Sequence, residues 1–276
     1  MRFTKMHGCG NDYVYVNCFE EKISNPEELA KKISDRHFGI GSDGLILILP
    51  PENKNHADAF MQLYNADGSK GSMCGNGIRC VAKYIYDHGI INSNTARIDT
   101  PSGVKEIALE IENHKVINAS VDMGIAQSAS EVPEKILINN MNLKFIGVDV
   151  GNDHAVYFLE DNPELQNINS WPDSEFNAIG PAFENHSRFP RRVNSEFIEI
   201  ISRTEINMRV YERGSGETLA CGTGATASAF AGLLAGKLDR NVLVHLRGGD
   251  LKIKIDKDNR CFMTGPAVEV FEGVIF

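Results

Sequence analysis

Polar and apolar residues alternate along Lys105–Ile111, Val116–Met123 and Leu251–Ile255, the period of two that a half-buried strand requires. Leu45–Leu49 is an unbroken apolar run and Phe197–Ile201 an apolar stretch interrupted by Glu199, both of strand length. Helical signals are fewer. Asn25-Pro26-Glu27-Glu28 combines a capping residue, a proline at the first helical position and a capping-box glutamate, predicting a helix to about Phe38, before Gly39. Two more helices are expected over about Ile78–His88 and Ala225–Ala235, stopped by Gly89 and Gly236. Strands dominate and no regular strand–helix–strand crossover emerges, so the fold class expected is α+β rather than a doubly wound sheet.

The pattern also repeats. Gly10-Asn11-Asp12-Tyr13 returns as Gly151-Asn152-Asp153-His154, and Tyr64, ten residues before Cys74, is matched by Tyr211, ten before Cys221. Both cysteines open a Cys-Gly-x-Gly turn, Cys74-Gly75-Asn76-Gly77 and Cys221-Gly222-Thr223-Gly224. Short glycine-containing matches arise by chance; ordered pairs at offsets of 141 and 147 residues carry more weight. Two homologous domains are expected, 1–117 and 118–264. The strand-like end, Ala267–Phe276, fits either, and a return of 265–276 to the first domain is one option.

Composition narrows the function. The chain has 276 residues, 42% hydrophobic and 24% charged, enough for a core without disulfide or metal staples. A net charge of −9 and the lack of basic runs disfavour nucleic-acid and acidic-membrane partners. No stretch approaches a membrane span and the N-terminal residues show no apolar signal core, so a soluble cytoplasmic protein is expected. Six cysteines without CxxC spacing argue against a structural zinc site, and no metal site is expected.

The two matched cysteines carry the chemistry. Each lies where a glycine turn enters a helix, whose unpaired N–H groups and positive dipole end favour a thiolate and can also hold a carboxylate. A lone cysteine at such a turn is more often a small structural residue; two at equivalent repeat positions shift the weight toward function. Facing domains would present a thiol to each side of one Cα, as stereoinversion needs. The other reading of the pair is redox, against which the missing CxxC spacing counts.

At these residues the sequence resembles diaminopimelate epimerases over essentially its whole length. The matching blocks include Met6-His7-Gly8-Cys9-Gly10-Asn11-Asp12, Gly39-Ile40-Gly41-Ser42-Asp43-Gly44, and Tyr64-Asn65-Ala66-Asp67-Gly68-Ser69. They continue through Met73-Cys74-Gly75-Asn76-Gly77, Arg192-Val193-Asn194, Glu212-Arg213-Gly214-Ser215-Gly216-Glu217-Thr218 and Ala220-Cys221-Gly222-Thr223-Gly224-Ala225. The resemblance implies two pseudo-symmetric domains, each a mostly antiparallel sheet wrapped around a central helix, with a ligand cleft between them. It implies a homodimer that uses no cofactor and interconverts LL- and meso-diaminopimelate in lysine and peptidoglycan precursor synthesis.

On that resemblance Cys74 and Cys221 are the acid–base pair, with His154 and Glu212 supporting the thiols. The amides of Gly75-Asn76 and Gly222-Thr223 hold the reacting carboxylate. Asn11, Asn65, Asn152, Asn194, Glu212 and Arg213 contact the substrate, Arg suiting carboxylates and Asn able to donate and accept. Cys9, Cys18, Cys80 and Cys261 are expected to be passive, and His7 and Asp12 to fix the turn that presents Asn11. Two departures stand out: Asp153 where the family often has proline, and Gly44 where some members carry glutamine. The alternatives are a racemase of another amino acid, such as histidine, and a non-catalytic binding or redox-sensing homologue.

Overall fold

The computed structural model describes all 276 residues. The chain divides into two units, Met1–Asp122 with Thr264–Phe276, and Met123–Met263. In the first, strand Arg2–Gly8 pairs on one side with Val268–Val274 and on the other with Asn11–Asn17, which returns the C-terminal strand to this unit. Asn11–Asn17 then runs parallel to Gly44–Leu49, which pairs antiparallel with Ala59–Asn65. Ala59–Asn65 runs parallel to Thr95–Asp99, followed by the hairpin partner Lys105–Glu112.

The second unit follows the same alternation. Met141–Asp149 pairs antiparallel with Asp153–Phe158, which runs parallel to Asn194–Ser202. Asn194–Ser202 pairs antiparallel with Glu205–Glu212, which runs parallel to Asn241–Leu246, itself antiparallel to Gly249–Ile255. Helices occupy matching places in this order: α1 (Pro26–Ser34) and α3 (Asp173–Glu184) in the first parallel crossover, α2 (Gly75–Asp87) and α4 (Gly222–Leu234) in the second. The sequence repeat is thus a repeat of strand pairing.

In each unit the second crossover helix is the core. Every residue from Gly224 to Gly232 of α4 is buried, and so is every residue from Asn76 to Ile85 of α2. A helix buried all round needs a sheet on several sides, and α2 and α4 each touch five long strands of their own sheet. Below the second sheet, Phe145, Tyr157, Phe176, Phe183 and Phe197 form an aromatic layer; the first has the smaller set Val14, Ala30, Ile33, Leu45 and Leu47.

The expected α+β class and the foreseen strands are present, with longer ends: Lys105–Glu112, Lys115–Ile125, Asn194–Ser202 and Gly249–Ile255. The first helix is shorter than expected, ending at Ser34 rather than near Phe38. Asp35 Oδ1 accepts the N–H groups of His37 and Phe38 at 2.7 and 2.8 Å, a local turn that competes with another helical turn. Asn25 makes no side-chain cap, and Glu28 pairs with Lys31 at 2.7 Å instead of closing a capping box. The α2 and α4 helices begin three residues earlier than expected, so that the cysteines themselves are the capping residues.

The unforeseen helix α3 contains Gly180-Pro181. Gly180 is required by packing: a Cβ there would stand 2.1 Å from the Tyr211 ring. In an open helix Gly→Ala gains about 1 kcal/mol; here overlap with a ring should reverse the sign. Gly180→Ala is expected to destabilise the protein by about 1–3 kcal/mol, measured by chemical denaturation. A variant as stable as the parent would contradict this packing.

Candidate active site

Strand Arg2–Gly8 turns into Asn11–Asn17 through Cys9 and Gly10, both at positive φ (54° and 81°), the pair of left-handed residues that a two-residue hairpin needs. His7 Nδ1 accepts the Gly10 N–H at 3.3 Å and braces this turn. Asn11 therefore emerges in a fixed position. Its Nδ2 donates to Asp43 Oδ2 at 2.7 Å, leaving Oδ1 3.2 Å from Cys74 Sγ. Arg36 reaches both Asp12 (2.7 Å) and Asp43 (2.9 Å), so the carboxylate that orients Asn11 is itself paired with a cation.

Cys74 caps α2 in extended geometry, and its sulfur accepts the Gly77 N–H at 3.3 Å. Burial pushes the thiol up; the Gly77 and Asn76 amides, the Tyr13 hydroxyl and Arg79 oppose that shift. Asn76, at the head of the same helix, is buried. Asn65 is exposed and bonds Ser69 Oγ at 2.9 Å.

The second unit builds the same cap with different side chains. Cys221 accepts the Gly224 N–H at 3.3 Å, and its sulfur lies 3.4 Å from Thr223 Oγ1. Asn152 Nδ2 donates to that hydroxyl at 3.4 Å, while its Oδ1 meets His154 Nε2 at 3.0 Å. His154 Nδ1 lies 2.7 Å from Glu196 Oε1, a pair with fully buried side chains. Hydrogen bonds thus run without a break from Glu196 to Cys221.

Glu212 bonds the Thr218 hydroxyl and the Cys221 thiol; burial first, then Glu196, raises its carboxyl against those bonds. Cys221 is pushed well above the ordinary thiol value by burial, then by Glu212 and Glu196, against the Thr223 hydroxyl and the Gly224 amide. The helix-dipole contribution at such a cap is about 0.3–1 kcal/mol, too small to offset burial in either thiol.

The remaining predicted residues stand further from the sulfurs. Asn194 Oδ1 accepts the Arg213 N–H at 2.9 Å and its Nδ2 donates to the Asp153 carbonyl at 3.2 Å, so it straps two loops together. The Arg213 side chain is exposed, with Nη1 on the Arg191 carbonyl at 3.2 Å. The charge that Asp153 brings to its turn is met by Arg191, which grips both carboxylate oxygens at 2.9 and 3.1 Å. Gly44 leaves no room for glutamine, because a Cβ would stand 2.2 Å from the Tyr64 carbonyl. Cys9, Cys80 and Cys261 are buried, Cys18 is partly buried, and none of the six cysteines is in a disulfide.

Tyr13, Asp43 and Glu196 belong to these half-sites and were not foreseen. A signal for Tyr13 existed, since it occupies the repeat position of His154. Asp43 stood in a matching block with no role assigned and Glu196 carried no signal, because their roles depend on partners 32 and 42 residues away.

Each half-site holds a capped cysteine, an amide side chain and the opening turn of a buried helix. The family model for diaminopimelate epimerase matches residues 3–129 and 146–270. The diaminopimelate epimerase of Acetivibrio thermocellus is 48% identical, with 100% of this chain and 98% of the relative covered. That of Agathobacter rectalis is 49% identical, with 100% and 99% covered. Among solved structures, a probable proline racemase from Agrobacterium radiobacter K84 superposes with a TM-score of 0.75, covering 100% of this chain and 92% of that one; at 14% identity this shows the fold alone. With the family model spanning both halves and full-length relatives near half identity, the chain belongs to the diaminopimelate epimerase family.

Proposed function

We propose that the protein interconverts LL- and meso-diaminopimelate without a cofactor, Cys74 and Cys221 exchanging the Cα proton, in lysine and peptidoglycan precursor synthesis. The observation that carries this is the duplicated cap: two cysteines at equivalent repeat positions, each accepting the N–H three residues on at 3.3 Å. One thiolate takes Hα from one face as the C–H bond electrons move into the carboxylate, and the other thiol gives its proton to the opposite face.

The barrier is large. An amino-acid Cα–H is more than ten pK units less acidic than a thiol, on the order of 15 kcal/mol. Charge developing on the substrate carboxylate must be met by preorganised donors, each of which is typically worth about 3–4 kcal/mol. The Gly75-Asn76 and Gly222-Thr223 amides, opening α2 and α4, are assigned that task. Asn11 stands beside the Cys74 sulfur and Asn152 reaches that of Cys221 through Thr223, while Asn65, Asn194 and Arg213 are assigned to the distal amino-acid end of the substrate. His154 and Glu212 support Cys221. The protein is further assigned to the cytoplasm as a homodimer, on family grounds; the structure adds only that no helix is long and apolar enough to cross a membrane.

Cys74→Ala and Cys221→Ala should each lower epimerisation by about 10²–10⁴-fold or more while circular dichroism stays native. Near-parental turnover by either variant, followed by chiral chromatography, would sink the two-thiol mechanism. Dialysis against chelator and addition of pyridoxal phosphate should leave activity unchanged; dependence on either would contradict the cofactor-free chemistry. Offered LL-diaminopimelate, lysine, histidine and proline, the protein should invert only the first, and faster inversion of histidine would favour a racemase of the same fold. Sedimentation should give about twice the chain mass of 30.5 kDa, and a monomer would remove the dimer from this assignment.

A further inference from the structure

The two caps share a backbone but not a charge. Strand registers put Tyr13 opposite Gly44 and His154 opposite Asn194, so Tyr13 corresponds to His154, and Ile46, two residues on, corresponds to Glu196. The packing agrees: a Cβ on Gly77 of α2 would meet Ile46 Cδ1 at 2.7 Å, and one on Gly224 of α4 would meet Glu196 Oε1 at the same distance. Leu45 faces Tyr64 as Ser195 faces Tyr211, which matches Asn65 with Glu212. Counting from the capping cysteines matches Arg79 with Thr226.

Around Cys74 these four positions hold tyrosine, isoleucine, asparagine and a fully buried arginine; around Cys221 they hold histidine, two glutamates and threonine. Even with His154 counted as a cation, the Cys221 set is negative and the Cys74 set positive. Glu196 is the most buried of the carboxylates. Its Oε1 faces His154 and, like Cys221 Sγ, borders the space that a Cβ on Gly224 would fill, and its Oε2 has no hydrogen-bond partner. The other groups at Cys74 change this little. Cys80 and Tyr15 are neutral, Asp43 is paired with Arg36, and the Asn11 amide oxygen, which favours a thiol, is a dipole rather than a full charge.

We propose that Glu196, together with Glu212, makes Cys221 the harder of the two thiols to ionise, so that Cys74, beside Arg79, is the first to become a thiolate and takes the first proton. Glu196 acts through its charge and its hold on His154, not by touching substrate, and is a positioning residue. The proposal rests on the two-thiol mechanism above. In a turnover from this state the Cα–H bond breaks toward Cys74 Sγ and the Cys221 S–H proton goes to the opposite face. The protein is left with thiol at Cys74 and thiolate at Cys221, and proton exchange with water restores the starting form. Burial pushes both thiols up; Glu212 and Glu196 add to the rise at Cys221, whereas Arg79 opposes it at Cys74.

The test is alkylation of the ligand-free protein by iodoacetamide from about pH 7 to 11, spanning the ordinary thiol value of about 8.5, with each cysteine peptide counted by mass spectrometry. Access alters rates but not the midpoint of the pH profile. The Cys74 midpoint should lie at least about one unit, a tenfold difference in thiolate fraction, below that of Cys221. Glu196→Gln and Glu212→Gln should lower the Cys221 midpoint and leave that of Cys74 in place. Coincident or reversed midpoints in the parent protein would overturn the proposal, without need of a variant. A Cys221 midpoint unmoved in both folded variants would overturn the carboxylates as its cause. Because no turnover is read, failure here leaves the substrate assignment standing, and failure to epimerise diaminopimelate would leave this order standing.

Discussion

A helix that begins inside a protein must find acceptors for the N–H groups of its first turn, and in both halves of this chain one acceptor is a cysteine sulfur. The Gly77 and Gly224 amides each reach one at 3.3 Å. Much else follows from that contact. The helix must be central for its first turn to be buried, the sheet must wrap it, and the residues beside the sulfur must be small. Gly77 and Gly224 leave no space for a side chain against Ile46 and Glu196. A structural need, closing a helix, and a chemical one, tuning a thiol, are met by the same atom.

Duplication fixed the backbone of the two caps and left the side chains free to diverge. The first cap ends in a carboxylate, Asp43, that is partly exposed and held by Arg36; the second ends in Glu196, fully buried against His154. Asn11 bonds the Cys74 sulfur directly, whereas Asn152 reaches Cys221 through the Thr223 hydroxyl. On the proposed mechanism the two thiols exchange roles yet need not be alike at rest, and a buried carboxylate beside one of them is a strong way to make them unlike.

The local features of this arrangement were legible in the sequence. Cysteines, glycines and the Gly-Asn-Asp turns repeat in order, and the half-buried strands alternate visibly. What escaped depended on distant partners. The Gly180-Pro181 pair carries no helix signal, yet α3 runs through it, with Gly180 packed on Tyr211. Glu196 shares a strand face with Ile198 in a strand buried on both sides, where alternation carries little information. Only His154, brought alongside by a parallel pairing, explains a carboxylate there. The capping box at Asn25 failed for the opposite reason: Glu28 had a nearer partner in Lys31.

The central claim, that two monoprotic thiols handle the Cα proton, is tested most directly by running LL-diaminopimelate epimerisation in deuterium oxide and analysing the first few per cent of conversion. The account predicts that the product carries deuterium at Cα, delivered by the second thiol, while the remaining substrate keeps its hydrogen. Product retaining the substrate's own hydrogen would mean a single group removes and returns the proton, and would contradict it.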